Sequence, residues 1–209
     1  GSDMLLETIR SPGLAHLSYF VGDRGQAAVI DPRRDWQVYL EIARREGMRI
    51  SHIFETHRNE DYVIGSVELA AHTGAQIHHG AGGAQFSYGE YLSEGDSFRI
   101  GALRLTVLHT PGHTFDSISL ALADTSSSDE AIGVFTGDAL FVGDVGRTDF
   151  FPDRREEVAG LLYDSIFGKL LALGDHVIIY PAHGAGSVCG AHMADREFST
   201  LGYERRHNR

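Results

Sequence analysis

The chain has 209 residues, 42% of them hydrophobic and 22% charged, enough to bury a core and close to ordinary globular composition, which excludes a disordered or fibrous protein. A formal net charge of -11 argues against nonspecific binding to nucleic acid or to an anionic membrane, both of which need clustered Lys and Arg. No apolar run approaches the roughly 20 residues that span a bilayer, and one cysteine, Cys189, leaves no intrachain disulfide framework and accords with a reducing cytosol.

Gly1, Ser2 and Asp3 ahead of Met4 read as the scar of a cleaved tag, so a single domain is expected over 4–209. Leu17 to Val21 and Ala27 to Ile30, split by Gly22, Asp23, Arg24 and Gly25, read as a β-hairpin that ends at Asp31 and Pro32. Trp36, Leu40 and Ala43 stand at helical spacing and Gly47 is placed to close the helix, which predicts a helix over about 36–46. Ile50 to Glu55 is a strand running into Thr56 and His57. Val63 to His72 is a second helix, closed by Gly74, and Ala75 to His79 a further strand. After the glycines at 80, 82 and 83 come strands Ser97 to Ile100 and Leu103 to His109, then Ile118 to Leu122 and Ala131 to Phe135 around a polar turn. A helix over 154–172, a core strand Val177 to Tyr180 and a helical tail from Asp195 complete the order. Strands with interleaved helices and polar loops at strand ends predict an α+β architecture, two sheets face to face with helices outside, an αββα sandwich.

Four of the strand-end loops carry a histidine or an acid: Thr56-His57-Arg58-Asn59-Glu60-Asp61-Tyr62, Thr110-Pro111-Gly112-His113-Thr114, Thr136-Gly137-Asp138 and Tyr180-Pro181-Ala182-His183-Gly184. Strands ending together would deliver these side chains to one edge of the sandwich, where a rigid scaffold can hold a metal site on loops. Twelve histidines in the chain fit metal or proton chemistry. His16, His52, His72, His78 and His79 lie outside these motifs and read as core or surface residues, and His109 as support for the loop after it.

These loops resemble those of the metallo-β-lactamase superfamily, whose first loop usually reads Thr-His-x-His-x-Asp-His and whose later loops supply Pro-Gly-His, Gly-Asp and a last His. The resemblance covers nearly the whole chain and implies the metallo-β-lactamase fold. In the first loop the second histidine position is Asn59 and the last is Tyr62, so the usual two-zinc site cannot be built. The set that stays complete is His57, His113 and Asp138, two histidines and one carboxylate, the facial triad favoured by non-haem Fe(II) oxygenases. Within the superfamily this triad is similar to that of persulfide dioxygenases of the ethylmalonic-encephalopathy type. Gly146-Arg147-Thr148-Asp149 and the segment from Tyr180 to Ser187 resemble the bacterial branch often fused to rhodanese domains.

The resemblance implies one Fe(II) per chain. It also implies a low-molecular-weight thiol persulfide and O₂ as reactants, sulfite and thiol as products, and a homodimer or homotetramer in a bacterial cytoplasm. Zinc, which lacks redox chemistry, would not serve. If another domain follows, as a fused or separate rhodanese, residues 202–209 would be its linker. His183 is expected either as a ligand or as a residue orienting water or substrate. Asp61 is expected to accept from a ligand histidine or to cap the helix that follows, and Tyr62 to approach the metal pocket or simply to pack. Arg147 is either an anion clamp for a substrate carboxylate or a salt-bridge partner of Asp149. Cys189 is either a thiol that meets the persulfide or an inert buried one. The competing functions are a glyoxalase II-like zinc thioester hydrolase and a metal-free binding module of the same fold.

Overall fold

The computed structural model describes residues 4–11, 16–80, 88–110, 117–141, 144–145, 168–183 and 198–207. One sheet is formed, in spatial order, by β1 (Leu5–Arg10), β2 (Leu17–Asp23), β3 (Gln26–Ile30), β4 (Arg49–Glu55), β5 (Gln76–Gly80) and β6 (Glu90–Leu92). The first three strands run antiparallel, and β3 to β6 are parallel. A parallel pair needs a crossover, and α1 (Gln37–Glu46) and α2 (Glu60–Thr73) lie in the two crossovers between β3, β4 and β5. The second sheet contains β7 (Ser97–Ile100), β8 (Leu103–His109), β9 (Ile118–Asp124) and β10 (Ala131–Gly137), followed by β13 (Ile178–Pro181) and β14 (Ser199–Thr200). Two short strands, β11 (Leu140–Phe141) and β12 (Asp144–Val145), pair with each other. A last helix, α3, covers Leu201–His207.

Strand alternation assigns the layers. Leu17, Tyr19 and Val21 on β2 and Ile30 on β3 meet Leu103, Leu105 and Val107 on β8 and Leu120 on β9, forming the core between the sheets. The other face of β2 and β3, with Phe20 and Val29, packs on Tyr39 and Ile42 of α1. On the far side Val134 and Ile179 are covered by Leu170 and Leu201. This is the αββα sandwich the sequence predicts. Gly47 closes α1 with a left-handed φ of 66°, as its position implies.

Three expectations need correction or extension. β1, β6, β11, β12 and β14 are absent from the sequence reading: β1 is a mostly half-buried edge strand and the others have only two or three residues, and β14 falls in the tail expected to be helical from Asp195, whose helix begins at Leu201. α2 begins at Glu60, not Val63, since Asn59 caps it by accepting from the Asp61 amide at 2.9 Å. Residues 202–207 are not linker: Leu201 and Glu204 are buried, and Glu204 accepts from the Ser199 hydroxyl at 2.9 Å. The expected helix over 154–172 lies outside the described residues except at 168–172, of which 168–171 are helical and 172 is a turn, and the Gly1 to Asp3 segment also lies outside them. Among the described residues no helix is long and apolar enough to cross a membrane.

Candidate metal centre

The ends of β3, β4, β10 and β13 and the start of β9 meet at one edge of the sandwich. The Ile118 amide donates to Thr56 O at 2.8 Å, the Ala182 amide to Gly137 O at 2.9 Å, and the Leu17 amide to Ala182 O at 2.7 Å. These bonds tie the Thr-His, Gly-Asp and Ala-His loops together before any metal is considered. Gly137 makes the closest approach. Its φ is +58°, and a Cβ there would lie 2.4 Å from Thr56 Oγ1 and 3.4 Å from His57 Nδ1. Only glycine lets the Asp138 loop rest on the His57 loop.

His57 is buried, and its hydrogen bonds fix which ring nitrogen is free. Asp31, at the end of β3, accepts from the Thr56 amide at 2.7 Å and from the Thr56 hydroxyl at 2.6 Å. The single hydroxyl hydrogen is therefore directed to the carboxylate, so Thr56 Oγ1 is the acceptor in its 3.0 Å contact with His57 Nδ1. Nδ1 carries the proton, and Nε2 presents a lone pair. Burial raises the Asp31 carboxyl to about 6, against the opposing pull of His57 and of the Thr56 hydrogen bonds. At neutral pH the acceptor is thus ionised and the arrangement holds. Asp31 itself adopts φ 56°, an uncommon conformation that Asp tolerates better than most residues.

Asp138 is buried, and its Oδ1 accepts from the Ser117 hydroxyl at 3.2 Å. Its Oδ2 is buried without a hydrogen-bond partner among the described residues. A carboxylate oxygen left bare in the interior is costly, and a cation is the partner that would compensate it. An imidazole Nε2 with its tautomer fixed and a bare carboxylate oxygen suit a divalent transition metal. The residues present therefore fit the metal centre that the loops imply. His113 lies outside the described residues, and so do Arg147 and Cys189. Among the described residues no group of three metal-ligating side chains is assembled.

The remaining candidates divide. His183 is brought beside His57, ring centroids 5.9 Å apart, through a backbone bridge to His16. Tyr62 is fully buried, with its hydroxyl 3.5 Å from His57 Nε2 and its ring edge-on to His57 at 5.1 Å. The Asp61 carboxylate is paired with Arg34 at 3.1 Å, while the capping role belongs to Asn59. His16, read from sequence as an ordinary core or surface residue, stacks at a tilt on Tyr62 at 5.1 Å. Its imidazole is held down to about 4 by burial and then by His183 and His57. Asp31, Thr56 as a relay, and Ser117 were also not singled out. A strand-ending Asp and two loop hydroxyls carry no sequence signal of their own until the loops are brought together.

His52, His78 and His79 are away from the centre. His52 Nδ1 and His78 Nε2 are 3.0 Å apart, and His79 is buried beside Glu55 at 3.3 Å. His72 stacks on Trp36 at 4.4 Å. A cavity of about 250 Å³ is lined by Leu92, Ser93, Glu94, Val107, His109 and Ile118, the last of which donates its amide to Thr56 O.

Residues 11–184 match the Metallo-beta-lactamase superfamily. The mitochondrial persulfide dioxygenase ETHE1 of Bos taurus is 33% identical over 192 residues, spanning 88% of this chain and 69% of that protein, and the Homo sapiens protein gives the same figures. A hydroxyacylglutathione hydrolase of Polaromonas sp. is 32% identical over 77% of this chain and 58% of its own length. Among solved structures, ETHE1 from Myxococcus xanthus superposes with a TM-score of 0.79 and 32% identity, covering 98% of this chain and 83% of that one. A metallo-beta-lactamase from Staphylococcus aureus gives 0.84 and 31%, covering 99% of this chain and 64% of that one.

Proposed function

Because the chain belongs to the Metallo-beta-lactamase superfamily, we propose that it is a mononuclear iron persulfide dioxygenase, with His57, His113 and Asp138 as the ligands of one Fe(II). The reaction is R–S–SH + O₂ + H₂O giving R–SH and sulfite with two protons. Four electrons pass from sulfur to O₂, the sulfur–sulfur bond breaks, and the inner sulfur leaves as the thiol. The observation that carries the reading is the ligand set. Asn59 is committed to capping α2 and Tyr62 offers a phenol where the superfamily pattern has imidazole, so donors remain for one metal rather than two. Similarity to persulfide dioxygenases over 88% of the chain supports the same reaction.

A redox-active iron held there would supply the electron transfer that joins persulfide sulfur to O₂. The chain's own residues prepare the site. Asp31 and Thr56 hold the proton of His57 on Nδ1, Ser117 turns Asp138 so that Oδ2 is free, and Gly137 keeps the two loops in contact. The cavity beside Ile118, with apolar Leu92 and Val107 and polar Ser93, Glu94 and His109, offers room for the thiol-bearing remainder of the substrate. Reactants are small molecules on this reading, and the dimer or tetramer, the bacterial cytoplasm and a rhodanese partner remain part of the proposal.

A thioester hydrolase of the glyoxalase II kind is the second reading, favoured by the 32% identity to hydroxyacylglutathione hydrolase. The two are separated by one pair of assays on iron-loaded protein. Glutathione persulfide should elicit O₂ uptake with stoichiometric sulfite, and S-lactoylglutathione should not be cleaved. Thioester cleavage without persulfide-dependent uptake would overturn the proposal.

A further inference from the structure

Tyr62 presents a hydroxyl whose partner depends on the state of the centre. Its ring is fixed between His57 and His16, each with centroids 5.1 Å away, and the whole side chain is buried. The hydroxyl lies 3.5 Å from His57 Nε2, the nitrogen that Thr56 leaves with a lone pair, so the phenol O–H donates to it. A phenol is ordinarily protonated near neutral pH, so the hydroxyl has a hydrogen to donate.

A metal on His57 Nε2 takes that lone pair away. The phenol O–H then needs another acceptor, because a buried donor without one costs about as much as a lost hydrogen bond. Burial and the ring contacts with His57 and His16 keep the side chain in place. Asp138 Oδ2 is not a substitute: among the described residues it has no hydrogen-bond partner, this hydroxyl included, and it is itself a ligand in the proposed centre. Among the described residues, what remains beside His57 Nε2 is a ligand that a metal held there would take from solvent or substrate.

We infer that Tyr62 is a substrate-binding residue whose O–H donates a hydrogen bond to the anion occupying the open position beside His57, which in the proposed reaction is the terminal sulfur of the persulfide. This rests on the mononuclear reading of the centre. It also assigns a function to the phenol at the position where the superfamily pattern has a metal ligand: packing alone would be served by phenylalanine.

The test uses cobalt(II)-loaded protein, in which no turnover occurs, and azide as the exogenous anion, followed by the cobalt ligand-field bands. Tyr62→Phe keeps the ring packing, so metal-free melting temperatures should agree within a few degrees. Both proteins should retain cobalt equally, and azide should bind about tenfold more weakly to the variant, the value of one hydrogen bond to a charged group. Equal azide affinity would overturn the inference. Loss of cobalt from the variant would overturn it too, by making Tyr62 a metal ligand. If iron-loaded wild type shows no persulfide-dependent uptake, the reaction assignment fails, while the azide comparison still judges Tyr62.

Discussion

Thr56 decides which nitrogen of His57 can face a metal, and it does so with one hydrogen. Replacing Thr56 by Val removes the hydroxyl between Asp31 and His57 Nδ1 and frees the imidazole to adopt either tautomer. Metal affinity should fall by 10- to 100-fold, the usual cost of losing such a supporting bond, as measured by chelator competition. An unchanged affinity would show that the tautomer is fixed by something else. Gly137→Ala is a harsher change, since its positive φ and the 2.4 Å approach to Thr56 Oγ1 leave no room for a Cβ. It should destabilise the protein by roughly 1–3 kcal/mol and weaken metal binding as well, read by thermal melting and metal titration together. A variant that melts like the parent would mean the loops separate at little cost.

Strand ends bring these residues together, and strands are what the sequence displays best. β2, β3, β4, β5, β7, β8, β9, β10 and β13 follow from short apolar runs beside turn residues, and α1 and α2 from helical spacing. The four motif loops were visible for the same reason: each follows such a run. The edge strands β1 and β6 bury too little to leave a pattern. The supporting shell was hidden differently. Asp31 lies at the end of β3 and Thr56 at the end of β4, 25 residues apart in the chain, and only the parallel pairing of β3 with β4 makes them neighbours. The first turn of α2 is polar and precedes the apolar pattern that begins at Val63, so the sequence shows it as loop; in the structure Asn59 caps the helix and Asp61 pairs with Arg34.

The pairing of β4 with β5 has a pH consequence of its own. It sets His52 against His78 at 3.0 Å, and burial, then His52 and His79, lowers His78 to about 4 from 6.5. Because the folded value lies below the unfolded one, the stability linked to neutral His78 is complete above about pH 6.5 and is lost as the pH falls from there toward 4. Melting temperature measured across that window should decline in the parent. The decline should be shallower in His78→Gln, which can still hydrogen-bond His52 but does not titrate. Superimposable profiles would assign the decline to other groups.

On the scale of the molecule, the candidate centre straddles the two sheets. His57 comes from the first, Ser117 and Asp138 from the second, and the Tyr19 hydroxyl crosses between them to Pro181 O at 2.6 Å. A metal that binds only the folded chain should therefore raise the melting temperature, in proportion to the logarithm of its concentration over its dissociation constant. His57→Ala and Asp138→Ala should abolish that rise. A residual rise in both variants would place the metal elsewhere.

On the proposed function, Asn59 and Tyr62, standing where the superfamily pattern has imidazole, leave a centre for one metal, held by His57, His113 and Asp138. Elemental analysis of protein reconstituted anaerobically with Fe(II) and freed of excess metal tests it directly. About one iron per chain is expected in the parent and essentially none in His57→Ala, His113→Ala or Asp138→Ala; two metal ions per chain in the parent, or full occupancy in any of the three variants, would rule out this mononuclear centre.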